Sequence, residues 1–188
     1  GATVLSGSAL APVAIGAALM AMIYAGGHTS GAHYILLVTI AVLVRGRITV
    51  SEALGYFAAQ LGGGLAAAAA VRLCVSPPPA TPAGHAMTAA VIAAFVFTFV
   101  LCFVVLNVAT SRDHPDNSFY GLAIGFTVAA GAVAVGPISG AVFNPAVGIA
   151  GATLGMLTGT TAVIYLIGHA LAGVAAGIAF RVLNPGDK

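Results

Sequence analysis

The chain has 188 residues, of which 60% are hydrophobic and 5% charged, with a formal net charge of +2. A soluble domain carries roughly a quarter charged residues, so this chain has almost nothing with which to cover a water-facing surface and belongs in a membrane. Its few arginines are scattered with no basic stripe, which excludes an electrostatic case for nucleic acid.

In chain order, the opening stretch Gly1 to Ser8 is small and uncharged, lacks a basic n-region and does not read as a signal peptide. Apolar runs long enough to cross a hydrocarbon core follow at Ala9 to Ala25, Ala53 to Val75, Met87 to Ala109, Phe119 to Val135 and Thr160 to Val182. Between the first and second lies Gly27-His28-Thr29-Ser30-Gly31-Ala32-His33-Tyr34-Ile35-Leu36-Leu37-Val38, then Arg45 and Arg47. Ser76 to His85 is too rich in proline for a helix and reads as a rigid connection, and Thr110 to Asn117 as a polar turn. Between the fourth and fifth runs lies Gly136-Pro137-Ile138-Ser139-Gly140-Ala141-Val142-Phe143-Asn144-Pro145-Ala146-Val147.

The two intervening segments are copies at an offset of 109 residues (136 minus 27). The same offset pairs Tyr56 with Tyr165, Gln60 with His169, Gly64 with Gly173 and Ala66-Ala67 with Ala175-Ala176, which describes a duplicated architecture. Short Gly-containing segments in corresponding halves point to the functional site of such a protein. Subtracting 109 from Met87 to Ala109 places the first-half counterpart of that span before Gly1, so a symmetric protein would begin one helix earlier. A truncated product, a segment cleaved off and a natural five-span variant each account for this. The expected organisation is one domain over 1–188, with the first-repeat remainder at about 1–75 and the second repeat at about 86–184.

Orientation follows from the cations. If the first span runs inward, Arg45, Arg47, Arg112, Arg181 and Lys188 face the cytoplasm and only Arg72 lies outside. This holds only if each repeated segment enters and leaves on one side as a re-entrant half-helix. Extended backbone in a membrane is tolerated where it is buried in protein or lines a cavity. Gly31 and Gly140 permit the required geometry, Ser30 and Ser139 can satisfy local backbone groups, and Asn144 caps a helix that Pro145 begins. The positive end of that helix would point at mid-membrane, where it repels cations and orients water. Cys74 and Cys102 have no second ligand at a metal-site spacing and read as small core residues; no metal site is expected.

Ser139 to Val147, Gly27 to His33 and Arg45-Gly46-Arg47 followed by Glu52-Ala53 resemble the aquaporin family, the major intrinsic proteins, aligned from the family's second span onward. The resemblance implies an all-α membrane protein built as an inverted repeat of spans with two re-entrant half-helices. It further implies a homotetramer of monomeric pores that pass water or small neutral solutes. The expected setting is membrane lipid, a bacterial inner (plasma) membrane, with the C-terminus cytoplasmic from the bias of the cations. The pore motif is Asn144-Pro145-Ala146. In the first copy, where the family repeats Asn-Pro-Ala, stand Ile35, Leu36 and Leu37, so one donor is replaced by three bulky apolar groups and Ile35 cannot cap its helix, at a cost of about 0.5 to 2 kcal/mol. The family's filter positions align with Ile15, Ala132, Ala141 and Val147, all apolar, with Val147 where an Arg is usual. The family's fourth-span Glu aligns with Ala94, so the loops are expected to be held by Ser, Thr and backbone partners alone. His28 and His33 fall in the first extended stretch and are candidates to line the pore.

Two functions compete. A passive channel with an apolar filter would pass small neutral solutes such as glycerol-like polyols, urea or dissolved gases. A non-conducting scaffold or subunit would keep the fold while Ile35, Leu36 and Leu37 plug the constriction by dewetting. No nucleophile, base and orienting group occur together, so neither catalysis nor a cofactor is expected. His169 reads as an interhelical hydrogen bond, and Gly62, Gly63, Gly64, Gly168 and Gly173 as close helix packing.

Overall fold

A computed structural model describes residues 7–76 and 87–187. Over these the chain forms helices α1 (Ala11–Ser30), α2 (Leu36–Arg45), α3 (Val50–Cys74), α4 (Met87–Thr110), α5 (Tyr120–Ser139), α6 (Pro145–Thr153) and α7 (Gly159–Leu183), with no strand among the described residues. Five of them, α1, α3, α4, α5 and α7, are long and apolar enough to span a membrane, while α2 and α6 are about half that length. The Pro-rich connection expected at Ser76 to His85 and the opening stretch lie almost wholly outside the described residues.

The offset of 109 carries through to the helix ends. Adding it to Ala11–Ser30 gives Tyr120–Ser139, and adding it to Val50–Cys74 gives Gly159–Leu183, the bounds of α5 and α7. The starts match because the caps do. Thr49 accepts the Glu52 N–H at 3.2 Å while Glu52 takes the Thr49 N–H at 2.7 Å, a reciprocal capping box, and Thr158, its counterpart, accepts the Thr161 N–H at 3.1 Å. The ends match because Gly31 and Gly140 both adopt the left-handed conformation, φ 64° and 72°, that closes a helix at little cost only for glycine.

α1 packs on α5 and α4 on α7 and α5, while each half-helix lies against the last long helix of the other half, α2 on α7 and α6 on α3. α1 and α5 cross at Gly16 and Gly125, which are equivalent by the offset. A Cβ at Gly16 would sit 2.5 Å from the Gly125 carbonyl oxygen, and one at Gly125 would sit 2.6 Å from that of Gly16. The pseudo-twofold axis therefore passes through this contact. The other glycines divide: Gly64 lies against Ala146 and its counterpart Gly173 against the Leu37 carbonyl, Gly168 against Val91, while Gly62 and Gly63 face open space and do not serve helix packing as expected.

The first span is longer than its apolar run suggests, continuing through Gly26 to Ser30. These glycines are packing notches here, with Tyr34 against Gly26 and Tyr120 against Gly27, so the helix is not broken. His28 is consequently helical, a correction to its expected place in an extended stretch; His33 does lie in the non-helical stretch that follows. α5 likewise runs through Pro137 to Ser139. Cys102 is buried, but Cys74, the last residue of α3, is exposed and not a core residue.

Candidate functional site

The two half-helices point their N-termini at one another inside the protein. Each is entered through a short turn in which glycine and then alanine are left-handed, Gly31 and Ala32 (φ 64° and 51°) in one loop and Gly140 and Ala141 (φ 72° and 53°) in the other. An alanine held there costs roughly 1–2 kcal/mol, so surrounding structure must hold the turn in place. Tyr56 and Tyr165 supply it: their hydroxyls donate to the carbonyls of Ser30 and Ser139, the second at 3.0 Å. Gln60 adds bonds to the His33 carbonyl and, at 3.0 Å, to the Thr39 hydroxyl. Its counterpart His169 is fully buried against the second loop near Val142, the equivalent of His33, but its ring closes no hydrogen bond of good geometry. The expectation that Ser, Thr and backbone groups alone hold the loops is thus corrected. The serines do bond locally, Ser30 to the Gly26 carbonyl and Ser139 to that of Val135, but the struts come from α3 and α7.

At the loop tips the halves diverge. Asn144 and Ile35 have the same extended N-cap backbone, φ −142° and ψ 121° against φ −127° and ψ 122°. Asn144 Oδ1 accepts the Ala146 N–H at 3.0 Å, while Ile35 makes no cap bond. One Nδ2 hydrogen of Asn144 goes to the Tyr34 carbonyl of the opposite loop at 3.1 Å, tying the two tips together. An amide nitrogen carries two hydrogens, so one donor is left. The symmetric bond, from position 35 to the Phe143 carbonyl, has no donor. Ile35, Leu36 and Leu37 are 7%, 8% and 0% exposed, and Ile35 and Leu37 pack in one cluster with Ile23, Leu101, Val128 and Phe143.

A cavity of about 410 Å³ opens beside the first loop. Leu19, Ile23, Val105 and Ile124 give it an apolar wall; His28, Tyr34 and Tyr120 add polar groups, Ile35 and Val38 line it near the first motif, and residues of the α4–α5 connection complete it. Of the two candidate pore histidines, His28 lines this cavity; His33 does not, its ring stacking on Tyr56 at 4.6 Å. None of the four expected filter residues lines it either. Ile15 on α1 and Ala141 at the second loop pack against the central cluster, Ala132 on α5 is buried, and Val147, in the first turn of α6, is 53% exposed.

The cations sort by end. Arg45, Arg47 and Arg112 converge on Asp187 at 2.9, 3.1 and 3.8 Å, and Arg181 donates to the Val44 carbonyl beside them, whereas Arg72 donates to the Thr153 carbonyl at the far end of α6. Burial alone would raise the Asp187 carboxyl. The Arg112 N–H, the Arg45 and Ser111 side chains and the Arg45 charge outweigh it and hold the group at about 2. Asp187 was not singled out from sequence, nor were Tyr56 and Tyr165 as loop struts. Their only signal was the shared offset of the two tyrosines. Among the described residues no three His, Cys, Asp or Glu side chains come together as metal ligands would.

The family model described as major intrinsic protein matches residues 3–180. Aquaporin NIP1-4 of Oryza sativa subsp. japonica is 41% identical over 169 residues, which cover 88% of this chain and 61% of the relative. Putative aquaporin NIP4-1 of Arabidopsis thaliana is 32% identical, covering 92% and 62%. Glycerol uptake facilitator protein-like 6 of Lactiplantibacillus plantarum is 33% identical over 187 residues, covering 93% and 85%. The chain thus spans about three fifths of the length of these plant relatives.

Proposed function

Because the chain belongs to the major intrinsic protein family, an integral membrane family of channels, we propose that it acts as a passive transmembrane channel of the aquaporin and glycerol-facilitator kind for water and small neutral solutes. The observation that carries this reading is the meeting of two half-helix tips through Asn144 and the Tyr34 carbonyl, inside a bundle of five span-length helices. Asn144 then offers a permeant one fixed N–H at the positive end of α6, where a cation is repelled and a neutral acceptor welcomed. Ile15, Ala132, Ala141 and Val147 form the filter in this reading. With no cation or aromatic group among them, they favour glycerol-like polyols, urea or dissolved gases over strict water selectivity. The 410 Å³ cavity is the inner vestibule, and the end bearing Arg45, Arg47, Arg112 and Arg181 faces the cytoplasm by the excess of positive charge there. Homotetramer assembly follows the family, and a bacterial plasma membrane is in keeping with the relative from Lactiplantibacillus plantarum. No catalytic step is assigned to any residue.

A second reading is favoured by one observation, the burial of Ile35, Leu36 and Leu37, with Ile35 and Leu37 inside the central cluster. An apolar constriction that packs shut excludes water, and the protein would then be a non-conducting scaffold with the same fold. Liposomes holding the full chain separate the two when their shrinkage is followed under an osmotic gradient and then a glycerol gradient. Faster rates than empty liposomes are expected for the channel; rates equal to empty liposomes for both would sink it.

A further inference from the structure

The α4–α5 connection, residues 111–119, is tied down at both ends. At its start, Arg45 Nη2 donates to the Thr110 carbonyl at 2.7 Å, and the Arg112 N–H donates to Asp187 Oδ2 at 2.9 Å. At its far end, Asn117 Nδ2 donates to the carbonyls of Val108 and His114 at 2.6 and 2.9 Å, and the Tyr24 hydroxyl to that of Ser118 at 2.9 Å. The apex between, His114 to Asp116, is exposed and lines the cavity, and neither the His114 nor the Asp116 side chain makes a hydrogen bond among the described residues. The tethers at the start depend on one carboxylate. Arg45 has no exposed side-chain surface and lies over the Phe180 ring at 4.3 Å, so its charge has Asp187 as its counter-ion. A buried guanidinium left without its anion draws in water and rearranges.

We propose that Asp187 is a positioning residue for the mouth of the cavity: by neutralising Arg45 and receiving the Arg112 N–H, it holds the α4–α5 connection as a fixed wall and limits entry from that end. The inference concerns access to the cavity and stands whether or not the protein conducts. Its test is therefore one of access. In a Cys74→Ser background, the thiol introduced by Ile23→Cys lies in the cavity at a position only 4% exposed, and Cys102, with no exposure, serves as an internal control. Labelling of the detergent-solubilised full chain by a charged methanethiosulfonate is compared with Asp187 intact, Asp187→Asn and Asp187→Glu. The wall reading expects Asp187→Asn to speed labelling at position 23 by about tenfold or more while Cys102 stays protected, as for a local opening, and Asp187→Glu to return the rate towards that of Asp187. An unchanged rate at position 23, or a parallel rise at Cys102, overturns it. Should Asp187→Asn not fold, Arg45→Met removes the Thr110 tether together with the buried charge that needs Asp187; a rise at position 23 with Cys102 protected supports the proposal and no change overturns it. Osmotic permeability measured in parallel tests the channel reading separately.

Discussion

Replacing Ile35, Leu36 and Leu37 together by Asn, Pro and Ala gives the first half-helix the start that the second already has. Position 35 has the extended N-cap backbone of Asn144, so the new Oδ1 can take the N–H two residues on, worth about 0.5–2 kcal/mol. Leu36 occupies the first helical position, where an N–H has no intrahelical partner and a proline's fixed φ fits. Leu37 is the expensive change. It has no exposed surface, and Leu→Ala in a close-packed site costs about 2–5 kcal/mol. In a bilayer the side chain gains little from leaving water, so lost dispersion and the cavity dominate and the lower end of that range applies. The cap and the lost Ile35 packing roughly cancel, leaving a net loss of about 2 kcal/mol set by Leu37. Thermal unfolding followed by circular dichroism should show the triple variant less stable than Ile35→Asn alone by about that amount. Liposome shrinkage should show higher permeability to water and glycerol than the parent chain. If the melting temperature falls while permeability stays at the parental level, volume has been opened without opening a path, and the three residues are not what closes the constriction.

Three further outcomes follow from the packing and the ionised cluster. Tyr165→Phe leaves the Ser139 carbonyl buried without its donor and should cost about 1–3 kcal/mol in thermal unfolding; a loss below about 0.5 would show that the turn at Gly140 holds itself. Gly16→Ala should destabilise by about 1–3 kcal/mol because the new methyl meets backbone that cannot yield, whereas Gly55→Ala, which faces open space in a helix, should stabilise by about 0.5–1 kcal/mol; equal effects would refute the assigned crossing. Asp187, held at about 2, favours the folded state when ionised, so its contribution is complete above about pH 4 and is lost as pH falls towards 2. Acid titration of stability should show a steeper decline over that window for the parent chain than for Asp187→Asn.

The duplicated plan was legible because the same offset governs the loop turns, local features set by neighbouring residues such as Ser30 and Gly31 or Ser139 and Gly140. The divergence at the loop tips was legible for the same reason: a cap depends on one side chain, and Ile35 has no atom to supply it. Long-range partners were not. Tyr165 reaches a carbonyl 26 residues away, and Asp187 meets Arg45 from 142 residues further along the chain, where neither spacing nor charge pattern marks a pair. The first apolar run stops at Ala25, short of the helix end at Ser30, because what lets the helix continue through Gly26 and Gly27 is the packing of Tyr34 and Tyr120, which a run of apolar residues does not record. Of the candidate site, the motif residues were found from sequence but the struts that aim them were not.

The crossing of Gly16 and Gly125 puts a limit on how the two halves could have drifted apart. The offset makes these positions equivalents in the two repeats, and where two identical repeats associate about a twofold axis, the residue on that axis touches its own copy. A substitution there would have entered both sides of the contact at once, adding two side chains to a space that admits none. After fusion into one chain, each side can vary alone, yet the other backbone still stands 2.5 to 2.6 Å from any added Cβ. The tips carrying Ile35 and Asn144 also face one another across the axis, but they have room for different side chains; Gly16 and Gly125 leave room for none.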